Sequence, residues 1–191
     1  MASVSVMTIV DFKNEESLPS LRLSLFTETS SDVQRAKKIR AVSNETGLSW
    51  MCSDLVKFNE GSKKSWAGYA NIVPAEGSLI PEGNWSVYYT DCAEESWEGT
   101  FTVKYNADYL QKHAGDFPDC INSSNTEKIA VYSAEGKLIY FGEKKKTWTD
   151  ISKVKNDIKA AVKYRICYFI STENVMILMP EQGEKENTLP E

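Results

Sequence analysis

Apolar and polar positions alternate through much of the chain. Leu21, Leu23 and Leu25 fall on one side of an extended segment and Arg22 and Ser24 on the other, which predicts a half-buried strand. Segments 39–42 and 48–52 read as strands on either side of the turn residues Asn44, Glu45, Thr46 and Gly47, a hairpin pattern. Segment 66–73 reads as a further strand, weakened by Gly68. The strongest local pattern lies between Ile80 and Tyr105. There Trp85, Val87 and Tyr89 alternate with Ser86, Tyr88 and Thr90, an acidic loop is expected at 91–99, and Phe101, Val103 and Tyr105 alternate with Thr102 and Lys104. Upstream, the apolar stretch 4–12 ahead of polar 13–16 fits either an edge strand or a loose arm.

After residue 106 the texture changes. Residues 107–114 suit a short helix, Gly115 and Pro118 break it, and 122–126 form a polar linker. Strands at 129–132 and 138–141 flank a turn in which Gly136 supplies the left-handed position. Behind an N-cap at Thr149 or Asp150, the residues Ile151, Val154, Ile158 and Ala161 or Val162 recur at helical spacing. Strands at 164–171 and 175–179 then flank Thr172, Glu173 and Asn174, and 181–191 reads as a disordered acidic tail.

These patterns predict a mainly β protein. Residues 1–17 form an arm or edge strand, 18–106 an antiparallel β-sandwich, 107–126 a short helix and linker, and 127–180 a small α+β module of ββαββ order. The turn at Pro81 and Gly83, the aromatic strand, the acidic loop and the second aromatic strand resemble the closing hairpin of immunoglobulin-like or fibronectin-like sandwiches. That resemblance implies a two-sheet fold and carries no function. The chain departs from true immunoglobulin domains in having no cysteine before Trp50 to pair with Cys92, so the usual inter-sheet disulfide is not expected.

Composition narrows the classes. The chain has 191 residues, 41% hydrophobic and 26% charged, which suits one large or two small folded domains. No apolar run approaches the roughly 20 residues of a membrane-spanning helix. The N-terminus has neither a basic start nor an apolar core of signal-peptide length, so the chain as it stands is expected in the cytoplasm. If a leader has been removed, an extracytoplasmic envelope or glycan-binding protein becomes the alternative. Formal charge is −5 overall, but residues 127–180 hold 10 basic against 6 acidic side chains. The acidic total argues against nucleic acid as a general partner, despite Lys144, Lys145 and Lys146 near Tyr140 and Phe141.

Chemical motifs are sparse. Cys52, Cys92, Cys120 and Cys167 are too far apart for a paired-cysteine metal or redox motif, and no glycine-rich phosphate loop or calcium loop occurs. No metal or cofactor is expected. His113, the single histidine, precedes Cys120 by seven residues with Asp116 and Asp119 between them. A thiolate oriented by that histidine would make a cysteine-dependent hydrolase, the catalytic alternative. The favoured reading is a non-catalytic binding or interaction protein. Its anchor would be Trp97, a large ring in an acidic loop with Glu94, Glu95 and Glu98, meeting a protein or glycan surface.

Overall fold

The computed structural model describes residues 3–29, 32–60, 64–75 and 78–183. The strands are β1 (Val4–Asp11), β2 (Ser20–Thr29), β3 (Ala36–Ser43), β4 (Ser49–Cys52), β5 (Val56–Glu60), β6 (Lys64–Ile72), β7 (Gly83–Asp91), β8 (Ser96–Val103), β9 (Thr126–Tyr132), β10 (Leu138–Glu143), β11 (Lys163–Ile170), β12 (Val175–Leu178) and β13 (Gln182–Gly183). One α-helix, α1 (Ile151–Asp157), and 3-10 turns at Val33–Arg35, Ala107–Gln111 and Ala114–Asp116 complete the described elements. The fold is thus mainly β, with two sheets. Among the described residues no helix is long and apolar enough to cross a membrane.

The chain divides into two compact units built from interleaved stretches. The first holds 1–9, 21–107 and 172–175, the second 10–20, 108–171 and 176–191. Residues 10–20 fall with the second unit and 172–175 with the first. Such an exchange of short strand segments leaves no mark in local periodicity.

In the first unit a four-stranded antiparallel sheet has the order β4-β3-β7-β8, and strands β2, β6 and β5 are successive neighbours in the other sheet. Alternation in β2 is realised as expected, with Leu21, Leu23, Leu25, Thr27 and Thr29 buried on one face. The hairpin β7–β8 differs from expectation at its tip. Ser96 already pairs with Thr90 and Trp97 with Tyr89, so the connection is Cys92 to Glu95 rather than the whole of 91–99. Asp91, only 1% exposed, accounts for the short loop. Its Oδ1 accepts from the backbone N–H of Ala93 (2.8 Å) and Glu95 (3.1 Å), and its Oδ2 from Arg35 Nη2 at 2.9 Å.

In the second unit the order β10-β9-β11-β12 is covered on one face by α1. Ile129, Val131, Trp148, Ile151, Val154, Ala161 and Tyr164 form its core, with Ile139, Tyr140, Ile158 and Ile166 against it. Asp150 caps the helix by accepting from Lys153 N at 3.0 Å, satisfying one of the donors a helix start leaves open. The helix stops at Asp157, short of the apolar repeat, because Ile158 leaves helical backbone (φ −120°, ψ 88°). A turn then brings Ala161 back to the same core. Gly136 sits at φ +74° in the β9–β10 turn, the left-handed position only glycine takes without strain. Gln182 and Gly183 pair with β11, so the expected tail begins after a strand, and 184–191 lies outside the described residues.

Three carboxylates in this unit are held below their ordinary range. Lys145 and then Trp148 hydrogen-bond Asp157, the Lys153 N–H and Thr149 hydroxyl hold Asp150, and Ser133 holds Glu135. A carboxylate depressed on folding contributes stability above its unfolded pKa and loses it as pH falls through the folded one. The melting temperature should therefore be level from neutrality to mild acid and fall once pH drops below about 4, the ordinary carboxylate range. Melting curves across pH, followed by circular dichroism, check this. A melting temperature that rises on acidification would contradict it.

Candidate functional site

The outward face of β2, β6 and β5 carries an aromatic group in which Phe58 is exposed and Phe26 and Trp66 are half-buried. Strand register sets it out. Val56 and Phe26 both oppose Gly68, while Phe58 and Glu28 both oppose Trp66. A Cβ on Gly68 would meet the Leu25 carbonyl oxygen and the Phe26 ring. Glycine is thus what lets the Phe26 ring lie down across β6. Phe26 and Phe58 then meet edge to face, with centroids 5.4 Å apart and ring planes at 66°. Phe58 is 44% exposed and Val56 is 51% exposed.

Polar groups hold this face in one arrangement. Trp66 Nε1 donates to Glu60 Oε2 at 2.9 Å, and Lys64 Nζ stands 5.9 Å from the Trp66 ring centre and 3.9 Å from Glu28 Oε2. The indole is therefore fixed on a solvent-facing surface with its N–H satisfied.

The anchor read from sequence is arranged differently. Trp97 lies in β8 on the inward-facing side with Gly99, Phe101 and Val103, half-buried and tilted against Tyr89 with centroids 5.4 Å apart. Glu98 points the opposite way and is exposed. Glu94, at φ +62° in the loop, is bound by Lys37 and has Lys38 at 3.9 Å. These lysines, Lys37 first, hold its carboxyl below the ordinary range. Glu95 contributes its backbone to the loop, donating to Asp91 and accepting from the Asp91 N–H. Trp97 and Tyr89 are thus brought together, while the three glutamates are dispersed around the tip.

Comparison with known protein families, curated proteins and solved structures finds no match to this chain. Its chemistry rests on the residues themselves.

His113 immediately precedes the 3-10 turn Ala114–Asp116, and Cys120 lies beyond that turn. The His113 backbone N–H donates to Asp116 Oδ2 at 2.9 Å, and Cys120 N donates to the Asp116 carbonyl at 3.1 Å. Among the described residues no hydrogen bond joins the imidazole to the thiol, and burial pushes the Cys120 thiol above its usual pKa. An activated thiol is pushed the other way. Among the described residues no group of three metal-ligating side chains occurs.

The cysteines are all free and their surroundings rank them. Cys92 is exposed in the loop, whereas Cys167 is buried and its thiol is pushed to about 11. Thiolate is the reactive form. Titration of the native protein with a thiol reagent near pH 8 should label Cys92 first and leave Cys167 silent until denaturant is added. Mass mapping of the labelled peptides checks the order, and early labelling of Cys167 would show that its strand opens.

The aromatic face is hidden in the sequence for a definable reason. Asn59, Glu60, Gly61 and Ser62 read as a turn, which masks the strand immediately before it. The usable signal is Val56 and Phe58 alternating with Lys57 and Asn59, beside a glycine-containing partner strand.

Proposed function

We propose that the protein is a non-catalytic recognition protein and that the face formed by Val56, Phe26, Phe58 and Trp66 meets a partner protein. The observation that carries this reading is the exposure of Phe58 and Val56 beside a ring seated over Gly68. A protein partner fits better than a glycan. Rings inclined at 66° form a ridge rather than an open platform, and Lys64 stands over the indole where a sugar would stack. Aromatic side chains at the centre of a desolvated patch supply much of the energy of such contacts. The antiparallel sheet β4-β3-β7-β8 and the antiparallel strands β2, β6 and β5 in the first unit support the immunoglobulin-like sandwich as its architecture, and the order β9, β10, α1, β11, β12 supports the ββαββ reading of the second.

The tip of β7–β8 is the second surface, favoured by the half-exposed Trp97 and the exposed Glu94 and Glu98. Affinity capture from the source cell with wild type, Phe58→Ser and Trp97→Ala separates the two. A partner retained by wild type and Trp97→Ala but lost by Phe58→Ser supports the aromatic face. Loss with Trp97→Ala alone moves the anchor to the tip. Retention by all three overturns both. Phe58 is nearly half exposed, so its replacement should leave the melting temperature close to wild type.

A further inference from the structure

The free edge of the second unit has a character of its own. Among the described residues β10 has a neighbour on one side only, so its other side offers backbone N–H and C=O groups for pairing. Natural edges are guarded by lysines, inward charge, proline, a bulge or a short length, and this one has a bulge and flanking lysines yet leaves two apolar side chains open. Here the strand has six residues, Leu138 to Glu143, without proline, and Leu138 and Phe141 are 49% and 47% exposed.

A bulge sets how these two side chains are presented. Leu138 opposes Tyr132 and Phe141 opposes Ala130, with a register shift between Leu138 and Tyr140. Tyr132 and Ala130 share one face of β9, so the extra residue places Leu138 and Phe141 together on that face. Tyr140 instead turns to the core under Trp148, where their rings meet edge to face at 5.3 Å. The edge therefore shows two apolar side chains on one face while the other face stays anchored.

Charge around this edge is mostly positive, with Glu135 in the preceding turn and Glu143 at the end of the strand as the acidic exceptions. Lys137 precedes β10, and Lys144, Lys145 and Lys146 follow it. Lys128 Nζ stands 5.7 Å from the Phe141 ring centre. Over 137–159 there are seven lysines against three acidic residues. Two of those acids are already engaged, Asp150 in the helix cap and Asp157 with Lys145 and Trp148. Lys144 pairs with Glu127 at 3.0 Å, a partly exposed contact of the kind that contributes little and yields to a competing carboxylate.

From this juxtaposition we propose that β10 receives an extended, acidic segment of another protein as an added strand. Backbone pairing along the edge supplies affinity, Leu138 and Phe141 take alternate apolar side chains of the segment, and the lysines at both ends select acidic flanks. This lies in a different unit from the aromatic face and does not depend on it.

The test uses the full chain and a synthetic peptide alternating valine and threonine between pairs of aspartates, with a twin carrying lysines in their place. Calorimetric titration and hydrogen exchange are read together. The aspartate-flanked peptide should bind and slow exchange of the 138–143 amides, and the lysine-flanked twin should bind about tenfold or more weakly. Joint Lys137→Glu and Lys146→Glu replacement should reverse that preference, and Phe141→Ser should weaken both peptides while the melting temperature stays near wild type. Protection outside β10, or a preference that charge reversal does not change, overturns the proposal. So does an oligothymidylate that displaces the peptide equally well at matched charge, which would make the lysines a phosphate-binding surface. Concentration-dependent dimerisation of the chain alone that protects 138–143 would assign the edge to a second copy and likewise overturn it.

Discussion

Replacement of Arg165 by alanine is expected to destabilise the protein by about 3–5 kcal/mol, the cost of removing one member of a buried ion pair. Its side chain is 11% exposed and ties its own segment of the second unit to the two others, 10–20 and 176–191. Nε donates to the Met179 carbonyl at 2.6 Å. Nη2 approaches Asp11 Oδ1 at 2.6 Å, the Phe12 carbonyl at 2.8 Å and the Leu178 carbonyl at 3.1 Å. Removing the guanidinium leaves a mostly buried carboxylate and three carbonyls without this donor. Asp11→Asn should cost less, about 1–2 kcal/mol, because the carbonyls still hold the guanidinium. Arg165→Lys should fall near the alanine variant, since one ammonium cannot reproduce a planar fork spread over four acceptors. Urea unfolding of the three variants measures the order. Equal midpoints for Arg165→Ala and wild type would show that the network contributes nothing net.

This network marks the limit of what local pattern can reveal. Leu21, Leu23 and Leu25 are legible because the cause of their burial, a period of two, is contained in five consecutive residues. The β3–β4, β7–β8 and β9–β10 hairpins are legible for the same reason, and Asp150 is legible as a cap from its place before an apolar repeat. Arg165 looks like an ordinary outward residue of a strand. Its partners at Asp11 and Phe12 lie more than 150 positions away in the chain, and no periodicity carries that distance. The strand β1 is ambiguous in sequence because its inner residues, Thr8, Ile9 and Val10, are all buried, a run without alternation. Of the candidate sites, Trp97 is disguised by its neighbours. Counting back from Phe101 in steps of two reaches Gly99 and Trp97, but the glycine interrupts the pattern and the acidic residues before it suggest a loop. The edge at β10 is visible only in part, since the lysines are in the sequence while the bulge that aligns Leu138 with Phe141 arises from pairing with β9.

The second large effect is expected at Trp85, and it bears on Trp97. Trp85 is 0% exposed and lies between Trp50, at 5.1 Å and 10°, and Phe101, at 5.9 Å and 15°. Its Nε1 donates to the Pro81 carbonyl at 3.1 Å. Trp85→Ala should therefore cost about 3–5 kcal/mol, through the cavity left between two stacked rings. Trp97 shares the inward side of the same sheet but stands at its end, half-buried over Tyr89, whose hydroxyl has no hydrogen-bond partner among the described residues. Trp97→Ala should cost only about 1–2 kcal/mol, the loss of partial burial and one ring contact. Guanidinium unfolding of the two variants measures the difference. If Trp97→Ala costs as much as Trp85→Ala, its ring belongs wholly to the core and has no surface left to offer a partner. If the gap is as large as expected, Trp97 keeps an exposed side at the tip, and its effect on capture can be read apart from its effect on folding.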